Sequence, residues 1–308
     1  MLYYLRQFSR KCYISIKPYY RSENLDFTLA KGDCLELLSN INFKFDMIFA
    51  DPPYFLSNGG ISVQSGKQVS VNKGDWDKSQ GFEKDNDFNK QWLALCREKL
   101  TDNGTIWVSG TFHNIFSVAQ AMTELGYKIL NCITWQKNNP PPNLSCRFFT
   151  HSTEFILWAR KSQKSKHYFN YELMKEINGG TQMRDVWTLP AIAKWEKSCG
   201  KHPTQKPLPL LARIILASTK KNDWILDPFS GSSTTGVAAS ILGRRYLGLE
   251  KETEFLEMAK SRREELSDVK IKYDYYQKIS KYANAKCMDI LEVREPEPYF
   301  GVDLPIEK

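Results

Sequence analysis

Short apolar runs alternate with longer runs of helical period through most of this chain, and that alternation restricts the fold more than any other feature. Phe45-Asp46-Met47-Ile48-Phe49-Ala50 is nearly all apolar, and Thr105 to Ser109, Glu154 to Ala159, Trp224 to Leu226 and Tyr246 to Glu250 read alike. Strands apolar at both parities are covered on both faces, which calls for helices on either side. Helical spacing fits Cys34 to Leu38, Phe88 to Leu100, Ile115 to Leu125, Pro207 to Ser218, Ser232 to Leu242 and Glu252 to Leu266. Phe27 to Ala30 and Tyr127 to Trp135 complete the strands, and Thr101-Asp102-Asn103-Gly104 reads as a turn. The order predicts an α/β fold with a doubly wound, mostly parallel sheet and a ligand at its carboxyl ends.

Composition narrows the class. The chain has 308 residues, 42% of them apolar or aromatic, enough for one large core with insertions or for two unequal lobes. A net charge of +8 suits a polyanionic partner, and equally an unremarkable basic surface. Seven cysteines with no Cys-x-x-Cys indicate reduced thiols, as in a cytoplasm, rather than a disulfide framework or zinc site. No run reaches the ~20 apolar residues of a membrane span. His113, His151 and His167 have no metal-like spacing. Residues 1–25, basic at the start and without a secretory apolar core, read as a surface extension.

Asp51-Pro52-Pro53-Tyr54 directly follows a buried strand. Asp and Pro both favour turns, so a strand-ending turn is one reading. The chemical reading accounts for each residue. An exocyclic amine conjugated to a nucleobase is a poor nucleophile. Asp51 and the carbonyl of Pro52 can accept its N–H bonds and favour a tetrahedral nitrogen whose lone pair points at an electrophile. Pro52 and Pro53 hold the backbone without offering donors, and Tyr54 offers a ring to an extruded base.

Asp227-Pro228-Phe229-Ser230-Gly231-Ser232-Ser233 joins a strand to a helix through small residues, so a ligand can approach the backbone and a helix N-terminus. An ordinary tight turn is the alternative. A phosphate loop is disfavoured because no Gly-Lys-Ser/Thr follows. Glu250 ends the next strand, where a carboxylate grips ribose hydroxyls or simply begins a helix.

Together these motifs resemble the amino-methyltransferases of bacterial restriction–modification systems, in the permuted β-type order, over roughly Asp26 to Leu266. The resemblance implies a Rossmann-like methyltransferase fold and S-adenosylmethionine as cofactor. Asp51 to Tyr54 match the catalytic tetrapeptide, with Asp51 also touching the cofactor. Asp227, Phe229, Ser230, Gly231, Ser232 and Ser233 match the cofactor loop. Ser233 stands where a second glycine is common, which a serine suits only at negative φ. His202, Thr204, Gln205 and Lys206 match a segment at the methionine end of the cofactor, and Asp33 and Cys34 one at its adenine. Implied divisions are a catalytic half (26–160), a target-recognition insert (161–201), a cofactor half (202–267) and a C-terminal extension (268–308).

The resemblance further implies double-stranded DNA as substrate, adenine N6 as target and a cognate restriction endonuclease as functional partner, with the enzyme a monomer or homodimer. Cytosine N4 and RNA adenine need the same acceptor geometry, and a silent DNA-binding module would keep the fold. A cytosine-C5 enzyme is excluded by the absence of a Pro-Cys pair. From Arg160 to Lys206 there are ten Lys/Arg against four Asp/Glu, with Tyr168, Phe169, Tyr171, Trp187 and Trp195 interleaved. That mixture suits phosphate contacts, with Asn178, Gln182 and Arg184 reaching base edges, or a subdomain with its own small core. Residues 56–86 are expected to be a long loop beside the site, with Lys73 and Trp76 as contacts.

Overall fold

The structure, a computed structural model, describes residues 16–56, 61–64, 67–70, 77–140, 142–143, 145–200 and 202–280. Strand β1 (Tyr20–Arg21) and β2 (Phe27–Lys31) lead through α1 (Cys34–Asn40) to β3 (Phe45–Ala50). A separate antiparallel hairpin follows, β4 (Ile61–Gln64) and β5 (Lys67–Ser70), and then α2 (Phe82–Lys99) and β6 (Leu100–Gly110). Next come α3 (Ile115–Glu124), β7 (Lys128–Lys137), β8 (Thr153–Arg160), α4 (Tyr171–Ile177) and β9 (Val186–Leu189). A 3₁₀ turn at Lys194–Lys197 precedes α5 (Leu208–Ser218), β10 (Trp224–Asp227), α6 (Thr234–Ile241), β11 (Arg245–Glu250), α7 (Thr253–Glu265) and α8 (Val269–Ser280).

Nine strands form one sheet in the order β1-β2-β11-β10-β3-β6-β8-β7-β9. The run from β2 to β6 is parallel, β8 is antiparallel to both β6 and β7, and β9 is parallel to β7. The strands are apolar at both parities because each face meets helices. Ile48, Ala50, Ile106, Val108 and Leu247 pack with α1, α2 and α3. Met47, Phe49, Trp107 and Tyr246 pack with α4 to α8. Trp107 stacks on Trp158 at 4.8 Å and donates to the Ser218 hydroxyl, so its own polar atom is paired within the core.

From β3 the chain passes through α2 to β6; from β10 it passes through α6 to β11, in the opposite direction and across the opposite face. Crossovers diverging in this way leave a crevice beyond the carboxyl ends of β3 and β10.

Three expectations need correction. Helix α2 begins at Phe82, six residues before the first apolar-periodic position, because its first turn is solvated. Asp85 fixes that start, accepting from Gln80 N at 3.1 Å and the Ser79 hydroxyl at 2.6 Å. The expected long loop is thus shortened by α2 and interrupted by β4 and β5, while Lys73 and Trp76 lie outside the described residues. The expected turn at Thr101–Gly104 sits inside β6 as a wide bulge, since pairing jumps from Phe45–Leu100 to Met47–Thr105.

The basic segment 161–201 is built into the main core. It supplies β9 to the sheet edge, and Met174, Ile177, Trp187 and Leu189 are buried there. Trp195 packs edge-on against Tyr275 of α8, at 5.1 Å. Helix α8 covers α5 and α6 with Tyr276 and Ile279, giving part of the C-terminal extension a packing role. Residues 1–15 and 281–308 lie outside the described part. Among the described residues no helix is long and apolar enough to cross a membrane, and no His/Cys/Asp/Glu group suits a metal ion.

Candidate active site

Asp51 leaves the tip of β3 into a closed set of donors. Its Oδ1 accepts from the Tyr54 hydroxyl at 2.6 Å and the Ser109 hydroxyl at 2.7 Å, and its Oδ2 from Lys206 Nζ at 2.7 Å. A carboxylate offers about four lone-pair positions, so three donors leave one, on Oδ2. Lys206 lies 7% exposed, 2.9 Å from the Tyr54 hydroxyl and 3.6 Å from Glu154 Oε2. Burial alone would lower the Lys206 pKa, but Asp51, Tyr54 and Glu154 around it raise it well above the ordinary value. Tyr54 is likewise pushed well above its usual range, by burial first and the Asp51 carboxylate second, and so remains a neutral phenol. Glu154, at the start of β8, pairs its other oxygen with Lys137 at 2.5 Å.

The backbone of this turn is held from a distance. Asp77 is fully buried and its carboxylate accepts from the backbone N–H of Tyr54 at 2.8 Å, Phe55 at 2.9 Å and Leu56 at 3.3 Å. Phe55 itself takes a left-handed conformation, φ 57°, which these bonds help to hold. One sequence expectation changes here: Tyr54 is only 6% exposed, so its ring presents no open face, and its hydroxyl serves to orient Asp51.

A second turn faces the first across a cavity of about 570 Å³, whose lining includes Asp51, Pro53, Phe229, Gly231 and Glu250. Asp227 ties its own turn, accepting from Phe229 N at 3.1 Å and the Thr235 hydroxyl at 2.6 Å. Burial pushes its carboxyl up to about 7. Glu250 Oε2 accepts from Gly231 N at 2.7 Å, and Oε1 from Lys251 and Glu252 N, both at 2.8 Å. It therefore holds the turn leading to α7 and braces the glycine turn at once, with its pKa raised by burial against those donors. At Gly231 (φ 49°) a Cβ would come within 2.9 Å of the His202 ring, so only glycine fits.

The other cofactor candidates divide. Asp33, Cys34, His202, Thr204, Gln205, Lys206, Asp227, Ser230 and Ser232 all line the same cavity. The Asp33 side chain also caps α1 through Leu35 N at 2.9 Å. Burial pushes the Cys34 thiol up to about 12, which leaves it unreactive. Gln205 gives its amide N–H to the Glu196 carbonyl at 2.9 Å, while its Oε1 is buried without a hydrogen-bond partner. Lys206, expected at the cofactor, spends its ammonium on Asp51. Ser233 is corrected twice: it is fully buried behind the turn, and its φ is +54°. Its N–H donates to the Ser230 carbonyl at 2.7 Å and its hydroxyl meets Ser230 and Tyr246, which stabilise that conformation.

Asp77, Ser109, Glu154, Glu196 and Arg262 escape sequence reasoning. Glu196 accepts from Leu208 N at 2.6 Å and anchors the His202–Pro207 segment, and Arg262 donates to the Ser232 carbonyl at 2.7 Å. Only Ser109 carries a usable signal, as a polar residue ending an apolar strand next to β3.

A family model for N6 and N4 methylases, described as DNA methylase, matches residues 45–261. The Type II methyltransferase M2.MboI of Moraxella bovis is 55% identical over 271 residues, covering 88% of this chain and 99% of that protein. The Type II methyltransferase M2.LlaDCHI of Lactococcus lactis subsp. cremoris is 62% identical over 248 residues, covering 80% and 91%. Among solved structures, the M1.HpyAVI–SAM complex aligns at a TM-score of 0.59 with 31% identity, covering 77% of this chain and 98% of that one.

Proposed function

The chain belongs to the DNA methylase family of N6 and N4 methyltransferases, and on that premise we propose that it methylates adenine N6 in a short duplex sequence. The observation that carries this reading is the single cavity shared by Asp51 and the Asp227–Ser232 turn at the β3/β10 crevice.

S-adenosylmethionine, when bound, supplies an electrophilic methyl group on a sulfonium. The cavity suits it. Glu250, at a strand tip, is the acceptor for ribose hydroxyls, with Asp33 and Cys34 beside the adenine. Gly231 gives close backbone approach, and the unpaired Gln205 Oε1 is an acceptor for the ammonium of the methionine end, beside His202 and Thr204. Phe229, whose ring is fixed edge-on to Trp92 at 5.3 Å, contributes apolar wall.

Asp51 then does the chemical work. The remaining lone pair on Oδ2 accepts one N–H of the target amine and the Pro52 carbonyl the other, directing the nitrogen lone pair at the methyl group. Tyr54, Ser109 and Lys206 hold that carboxylate at one angle, a preorganised arrangement that needs no reordering during reaction. The proton left on the methylated nitrogen passes to Asp51, beside which the Lys206 ammonium and, at 3.6 Å from it, Glu154 Oε2 balance the local charge.

The recognition insert is residues 161–201. Val186 stands level with Gly110 through the register Val186–Thr134–Phe155–Gly110. Strand β9 is four strands from β3, roughly 19 Å at the usual strand spacing, about the width of a duplex. Asn178, Gln182 and Arg184 are exposed, as base contacts require. The same reading carries a cytoplasmic enzyme, monomer or homodimer, that protects sites from a cognate restriction endonuclease.

The test is incubation with methyl-labelled S-adenosylmethionine and plasmid DNA, followed by mass spectrometry of the nucleosides. Label in N6-methyldeoxyadenosine is expected. Label in N4-methyldeoxycytidine would move the target to cytosine, and DNA binding without label would indicate a silent module.

A further inference from the structure

The loop joining β7 to β8 rises from the same sheet edge as the catalytic turn and has so far been given no role. It lies between that turn and β9, because the strand order from the site outward is β3-β6-β8-β7-β9. It is long for a hairpin connection, and long ordered loops are usually functional. Its tip carries Phe148, 59% exposed, and Phe149, 96% exposed. Across from it Phe112, 43% exposed, follows the end of β6.

The Phe112, His151 and Phe148 rings form one surface, and Phe149 follows Phe148 in the chain. Phe112 stacks on His151 at 4.8 Å, and His151 meets Phe148 at 5.4 Å. The tip is built rather than frayed: Asn143 Oδ1 accepts from Ser145 N at 3.0 Å, and its amide donates to the Phe148 carbonyl at 2.5 Å. Cys146 takes a left-handed φ of 52° to turn the chain. Three large aromatic rings left in water, two at the tip of this loop and one beyond the end of β6, have no folding benefit, and such patches mark interaction surfaces.

Two observations identify the occupant as duplex DNA at the point where the target base leaves. The first is reach. Phe112 is three residues beyond Ser109 and His151 three before Glu154, so both backbones lie within about 10 Å of groups that surround Asp51. The second is charge: residues 138–152, between the Lys137–Glu154 pair at the base of the loop, contain Arg147 and no acid, and residues 111–123 contain no acid either. An acid-free aromatic ridge beside an amine-methylating site suits nucleobases, which stack on aromatic faces, between phosphates that basic side chains neutralise.

We propose that Phe148 and Phe149 form a wedge that enters the base stack as the target base is extruded, filling the gap that it leaves. An apolar side chain inserted between base steps offsets part of the lost stacking. The proposal rests on the methyltransferase reading above, and its test separates the two.

The methylated base is first located by sequencing plasmid DNA treated with the full-length protein; a duplex of that sequence then carries 2-aminopurine at the target position. The wild-type protein is expected to raise its fluorescence. The Phe148→Ala/Phe149→Ala variant should lose most of that rise and methylate the unmodified duplex at least ~10-fold more slowly, in line with the loss of stacking on one or two bases. Both side chains are exposed, so folding is unaffected, and urea midpoints should agree. An abasic position opposite the target, which removes the need for a wedge, should restore the variant to near the wild-type rate. Wild-type rates for the variant on the intact duplex would overturn the wedge, as would slow rates that the abasic duplex fails to restore. Absence of label in DNA with the wild-type protein would instead sink the enzymatic reading itself.

Discussion

Two turns of similar composition leave neighbouring strands at the β3/β10 crevice, yet the partners that hold them lie at very different distances along the chain. The Asp227 turn is tied from within and from the strand and helix that follow it: Asp227 bonds residues two and eight positions on, Ser233 reaches back three to Ser230, and Gly231 and Ser232 meet Glu250 and Arg262, 19 and 30 positions on. The Asp51 turn is tied from afar. Tyr54 N meets Asp77 23 positions away, and Asp51 meets Ser109 at 58 and Lys206 at 155. A turn tied within one stretch of strand, helix, strand and helix can hold a cofactor whether or not substrate is present. One assembled from β6, the segment before α5 and a buried aspartate depends on the whole fold for its aim.

The largest effect should come from breaking the distant tie. Lys206→Met leaves the Asp51 carboxylate buried without its cation, and should cost about 3–5 kcal/mol in urea unfolding together with methyl transfer. The local turn has its own signature in pH. Asp227, at about 7 when folded, keeps its proton through a range in which the unfolded chain, near 3.8, has lost it. Its folded pKa is raised, so stability falls as pH climbs from about 4 to about 7, by up to about 4 kcal/mol. Glu250 and Glu196, also raised by burial, act with the same sign. Asp227→Asn should flatten the difference between urea midpoints measured at pH 5 and pH 7; an unchanged slope would contradict the assignment.

Asp77→Ala sharpens the comparison, because three backbone N–H groups of the catalytic turn lose one acceptor. Stability should drop by about 2 kcal/mol, with kcat reduced and S-adenosylmethionine affinity, measured by calorimetry, intact. Equal loss of both would show that the two turns are not independent. The smallest effect belongs to Ser233→Gly, which relieves a left-handed serine but removes its hydroxyl contacts. Its unfolding free energy should stay within about 1 kcal/mol of wild type.

The same contrast explains what the sequence disclosed. The Asp227 turn and Glu250 were readable because strand, small residues and helix follow one another, and local bonds need only local spacing. The tetrapeptide at Asp51 was readable as chemistry, but not its support. Nothing near Asp77 announces that it reaches back to Tyr54, and Lys206 sits in a motif that pointed to the cofactor. The burial of Tyr54 was hidden for the same reason, since Ser109 and Lys206 reach its hydroxyl from other elements. The start of α2 was hidden because its first turn faces water and shows no apolar period. The basic segment 161–201 looked separable in composition, whereas Trp187 and Leu189 are spent on the main core.

On the proposed reading, Asp51 directs the target amine together with the Pro52 carbonyl, while the facing turn holds the cofactor independently. Single-turnover methyl transfer by Asp51→Ala, run beside a calorimetric titration with S-adenosylmethionine, tests this most directly. Transfer should fall below detection while cofactor affinity stays within about twofold of wild type, a change under ~0.5 kcal/mol. Near-normal transfer by the variant, or loss of cofactor binding in step with transfer, would contradict it.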